Sequence, residues 1–148
     1  RHLPAEPKQT AAKRSEVYAN VPLDAFIKTW HMDARLEKGY YVADLATEIL
    51  GGGGSSRLFQ SLVKEKQLFS SLDCYHFGSV DNGLIAVEGK LVKGVDIKKA
   101  EAAVNEEIKK LQQNGNTETE REKVKNKKAR SLAFEGMRRR NRAQSIAM

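Results

Sequence analysis

Four consecutive glycines, Gly51-Gly52-Gly53-Gly54, constrain this chain more than any other stretch. A helix does not run through them, because each glycine costs about 1 kcal/mol relative to alanine in a helix interior. The flanks are nevertheless helical. Upstream, Tyr41, Leu45 and Ile49 recur at four-residue steps; downstream, Leu58, Phe59, Leu62 and Val63 mark one buried face. Glycine is the usual residue just past a helix end, where the backbone turns left-handed. Ser55 or Ser56 can then cap the next helix by accepting a backbone N–H. The reading is helix 40–50, a tight glycine corner, and helix 55–66.

Around that corner the chain divides cleanly. Residues 1–13 hold Pro4 and Pro7 and little apolar matter, so they read as an extended lead-in, and residues 14–148 read as one domain. Val17 and Tyr18 suggest a short strand over 14–20. Residues 25–32 read as a strand with Phe26, Lys28, Trp30 and Met32 on one side and Ile27, Thr29 and His31 on the other. Residues 68–77 and 84–92 form two more strands, joined by a turn with the Asn82-Gly83 hairpin signal. Leu72, Cys74 and His76 share one face of the former; Ile85, Val87, Gly89 and Leu91 share one face of the latter.

Helix 95–113 carries Ile97, Ala100, Val104, Ile108 and Leu111 at steps of three and four, and Gly115 stops it. Thr117-Glu118-Thr119-Glu120 is a capping box that opens a further, basic helix with a thin apolar stripe of Val124, Leu132 and Phe134. Glu135-Gly136 is expected to break it, and Asn141 with Gln144 to start another. Strands and helices do not alternate as βαβ units. The expectation is therefore an α+β two-layer domain, an antiparallel or mixed sheet with helices packed on one face. The chain begins at Arg1 and ends at Met148 within a helical pattern, which suggests a piece truncated at its C-terminus.

Charge locates one feature. The net charge is +7, but the segment from Arg121 to Arg142 holds ten basic side chains against two acidic ones, and the rest of the chain nets −1. A solvated helix face is the simplest reading; phosphate or an acidic partner is the sharper one. Only Phe134 interleaves with the charges, so single-strand stacking has little support. No run approaches 18 apolar residues, the length a membrane helix requires.

Candidate chemistry is sparse. The three histidines, His2, His31 and His76, make no two-ligand motif with a near neighbour; Cys74 and His76 share a strand face, for which packing is the better account. No nucleophile sits in a recognisable elbow. A phosphate-binding P-loop is excluded, since a helix precedes the glycines and no lysine follows in place. A KH-like RNA-binding module is the rival: its helix–GxxG–helix order fits Gly51 to Gly54, but the glycines carry no basic residue between them and 14–20 and the last 35 or so residues stay unexplained.

Read as one piece, Glu48 to Ser71 resembles the insulinase/pitrilysin-type zinc metallopeptidases, including the mitochondrial processing peptidase. Their repeated domains carry L-G-G-G-x-S-S-R-L-[FY]-x-x-L-R-E-x-x-G-L-A-Y-S, and Gly51 to Phe59 is the specific part of the match. The Pro-rich entry, Trp30-His31, Asp81-x-Gly83, Gly115-Asn-Thr-Glu-x-Glu120 and Asn141-Arg142-Ala143-Gln144 fall in the expected order. The resemblance implies a non-catalytic second domain of a zinc peptidase, with the zinc and its H-x-x-E-H motif on an N-terminal domain of the same parent chain. No catalytic or metal residue is therefore expected in this piece, and alone it is expected to be inactive. Its expected partners are that zinc-bearing domain, a homologous subunit and an unfolded peptide, which it would help to hold by closing the chamber and by strand addition. A bacterial parent is the expectation, with periplasm and cytoplasm both open. One departure stands out. Many such domains bind substrate through an Arg and, seven residues on, a Tyr; those positions here are Val63 and Ser70, which cannot supply those groups. The corner itself, Gly51, Gly52, Gly53, Gly54, Ser55, Ser56 and Arg57, is read as structural.

Overall fold

The computed structural model of the protein describes residues 9–78 and 81–137. The sheet has three strands, β1 (Ala25–Met32), β2 (Phe69–Phe77) and β3 (Gly83–Leu91), in the antiparallel order β1-β3-β2. Phe26 faces Gly89 and Trp30 faces Ile85 across β1 and β3, while Cys74 faces Val87 across β2 and β3. Alternation gives one buried face, on which Phe26, Leu72, Cys74, Val87 and Leu91 point toward the helices. The predicted strand faces are those observed.

Helix α1 (Lys38–Gly51) packs on β2, and a short π-helix (Phe59–Glu65) follows the corner. Helix α2 (Ile97–Asn114) lies against the core, and α3 (Glu118–Met137) lies outside α1. Leu58, Leu62, Phe69, Val87, Leu91 and Val104 are almost wholly buried in one cluster. Burying side chains of this size stabilises by about 1.5–3 kcal/mol each. The result is the expected α+β architecture, helices over one face of an antiparallel sheet.

Several local expectations change. Arg14 to Asn20 is not a strand: it pairs with no other described strand, and Val17 and Tyr18 are about nine-tenths exposed. Strand propensity without a ladder partner does not make a strand. The buried stripe of α1 is Ala43, Thr47 and Leu50 together with Ile49; Tyr41 stands exposed and meets Tyr40 edge-on. Small side chains let α1 approach β2 more closely than a Tyr41 stripe would. The second helical segment ends as a π-helix in which Lys66 N–H donates to Ser61 O, five residues back. An apolar spacing of four cannot distinguish that winding from an α-helix. Gln67 then takes φ +50, left-handed for a side chain that prefers otherwise, where the peptidase pattern carries glycine. Finally, α3 continues through Gly136 to Met137, because a single glycine's cost is small against nineteen other helical residues. The cap expected at Asn141 and Gln144 lies outside the described residues.

Candidate functional site

The glycine corner is built by close approach. Gly51 ends α1 against β2; a Cβ there would sit 2.1 Å from Cys74 N. Gly53 has φ +112, in the region that favours glycine. Ser56 N–H donates to Gly53 O, and Gln60 N–H donates to Ser56 O, which starts the next helical turn. Gly51 and Gly52 thus leave no room for a side chain, while Gly53 supplies the left-handed turn.

Arg57 fixes the corner to the distant α2–α3 connection. Its Nε donates to Glu120 Oε1 at 2.6 Å, one terminal nitrogen donates to Glu120 Oε2 at 2.7 Å, and the same nitrogen reaches Gly115 O at 2.9 Å. Glu120 is at once the capping-box acceptor: its carboxylate takes the Thr117 N–H, and its own N–H donates to Thr117 Oγ1. The guanidinium, joined by the Thr117 bonds, holds the Glu120 carboxyl down at about 2 despite partial burial. Arg57 in turn is held above its ordinary value by the same bond. Sequence reading found both ends of this pair, the Ser-Ser-Arg turn and the capping box, without joining them; nothing in a linear pattern places residues 57 and 120 together.

Two lysines continue the clamp. Lys127 bonds Glu48 and Gly52 O, and Lys128 takes both carboxylate oxygens of Asp44, so part of the basic segment anchors α3 to α1. Beneath, His76 lies between Thr47 and Tyr40, each 3.3 Å from a ring nitrogen. Cys74 is buried, which pushes its thiol up to about 12. Cys74 and His76 therefore pack and bond within the fold. Among the described residues, no group of three or more His, Cys, Asp and Glu side chains could hold a metal ion.

The two departures from the substrate-binding pattern are placed plainly. Val63 is half-buried against the core, and Ser70 sits exposed at a bulge in β2 with its hydroxyl donating to Lys90 O. The two positions bring no cation and no phenol to the surface. What the surface offers instead is the outer edge of β1, an eight-residue strand paired among the described residues only with β3. Ile27 stands exposed on one side of that edge, and Trp30 lies half-buried on the other with the Lys28 ammonium 5.7 Å from its ring centre. Lys28 and Arg14 converge on Glu101, each at 2.8 Å, and together they lower its carboxyl.

No curated protein matches the chain. Solved structures do. A protease from Helicobacter pylori superposes with a TM-score of 0.81 at 19% identity, over 88% of this chain and 32% of that one. A Bordetella pertussis protein described as a zinc protease gives 0.75 at 22%, over 83% of this chain and 67% of that one. The inactive peptidase domain of a Bordetella parapertussis protein, also described as a zinc protease, gives 0.76 at 20%, over 88% and 72%. At these identities the likeness establishes the fold; the chain spans about a third of the Helicobacter protein. A family model described as the peptidase M16 inactive domain matches residues 1–128, and the chain belongs to that family.

Proposed function

We propose that this domain closes the substrate chamber of a zinc peptidase and holds unfolded peptide there while a metal-bearing N-terminal domain of the parent hydrolyses it. The observation that supports this best is the outer edge of β1, which no other described strand covers. Its outward N–H and C=O groups can take an extended peptide as a further strand, which recognises backbone and so tolerates varied sequences. With Val63 and Ser70 in place of an Arg and a Tyr, side-chain binding near the scissile bond would come from a homologous subunit or not at all. The names of the Bordetella relatives as zinc proteases are consistent with zinc in the parent. The KH-like alternative is not favoured, since the family match covers residues 14–20 and the first half of α3, which that reading left unexplained.

Amide hydrogen exchange on the purified chain, with and without an excess of unfolded peptide, tests the reading. New protection confined to β1 is the expected result. Protection spread evenly, or none at saturating peptide, would remove strand addition at this edge.

A further inference from the structure

The basic helix has work left over after the fold has used it. Of the six cations from Arg121 to Arg130, Arg121 and Lys125 pair along the helix with Glu118 and Glu122, and Lys127 and Lys128 anchor α3 to α1. Lys123 and Arg130 have no ion-pair partner among the described residues. These two lie seven residues apart, about 10 Å along the axis. Asn126 and Phe134 fall on the same flank, at i+3 and i+11 from Lys123. Phe134 is 61% exposed. The flank lies beside the stripe of Glu120, Val124 and Lys128 that faces α1, and Val124 is the one buried side chain of the helix among those described.

We propose that this flank of α3 is a docking surface for an acidic amphipathic segment of another protein. Charge complementarity specifies the occupant. Two cations two turns apart, without an ion-pair partner among the described side chains, call for carboxylates at matching spacing, and the exposed ring one turn further calls for an apolar side chain beside them. A helix carrying Glu at i and i+7 with Leu on the same face meets both demands. Nucleic acid fits less well, because one aromatic ring next to two cations offers no stacking series. The surface is also separate from the peptide-holding edge: α3 packs on α1, and α1 in turn packs on the sheet. A partner on α3 is therefore bound away from the β1 edge at which the proposed function places the peptide.

The test uses the purified chain and a synthetic Glu/Leu amphipathic helix, with a scrambled peptide of the same composition and a single-stranded RNA oligonucleotide as competing probes. Binding is read by fluorescence anisotropy at low salt. The expected result is selective binding of the amphipathic peptide, weakened at least tenfold by the Lys123→Glu/Arg130→Glu pair and severalfold by Phe134→Ala. Lys125→Glu, on a different flank, should leave it unchanged. All these side chains are exposed, and circular dichroism of each variant checks that it is folded. Equal binding of the scrambled peptide, indifference to Phe134, no binding, or preference for RNA would overturn the proposal.

Discussion

Replacing Glu120 by Gln should remove most of the acid sensitivity that this domain owes to its corner. The carboxyl is held at about 2 in the fold against an ordinary 4.5. A depressed acid contributes stability that is fully present above the unfolded value and is lost as pH falls through the folded one, here from about 4.5 toward 2. At 1.36 kcal/mol per pH unit this corresponds to about 3 kcal/mol. Glu120 and Arg57 keep 26% and 19% of their side-chain surface exposed, and solvent screening there reduces the figure to about 2 kcal/mol. Urea unfolding followed by circular dichroism at pH 7, 5, 4 and 3 measures it. The wild-type chain should be about 2 kcal/mol more stable than Glu120→Gln at pH 7, and the gap should narrow as pH falls below 5. Glu101 and Glu106, whose carboxyls are also lowered, drive acid loss in both proteins and cancel in the comparison. Arg57→Ala should show the same convergence, and the double variant should cost little more than either single one. Parallel pH profiles for wild type and Glu120→Gln would refute the account of the clamp.

Other expectations follow from the same geometry. Gly51→Ala should destabilise by about 3 kcal/mol or more, or prevent folding, because its methyl group would collide with the β2 backbone at Cys74; thermal melting reads this. Gln67→Gly should stabilise by about 0.5–1 kcal/mol, as relief of a left-handed side-chain conformation outweighs the added freedom of the unfolded chain, measurable in the same urea titration. Cys74, buried and with its thiol pushed up to about 12, should resist a thiol reagent at pH 8 in the folded protein and react at once in urea.

Much of this fold was legible in the sequence because each element carried its own local signal. The alternation of Phe26, Trp30 and Met32, the stripe of Ala100 and Val104, and the Thr117–Glu120 box each specify an element without distant help. What was not legible depended on long-range partners. Val17 and Tyr18 have strand propensity, yet no described strand pairs with them. Tyr41 fits a helical stripe as well as Ala43 does, and only the closeness of β2 selects the smaller residue. The same limit governs the site. The motif Gly51 to Arg57 could be recognised from its residues, but the meeting of Arg57 with Glu120 spans 63 positions and exists only once α2 has folded between them. Half of the basic segment's meaning was hidden likewise, since Lys127 and Lys128 find Glu48 and Asp44 only when α3 lies along α1.

The central claim is that this domain holds peptide without cutting it. A quenched, fluorescently labelled unfolded peptide, titrated with the purified chain in the presence of zinc and then of a chelator, reads binding and cleavage in one experiment. The account predicts saturable binding with no release of fluorescence under either condition. Chelator-sensitive cleavage would contradict the assignment as non-catalytic, and the absence of binding would contradict the role in holding substrate.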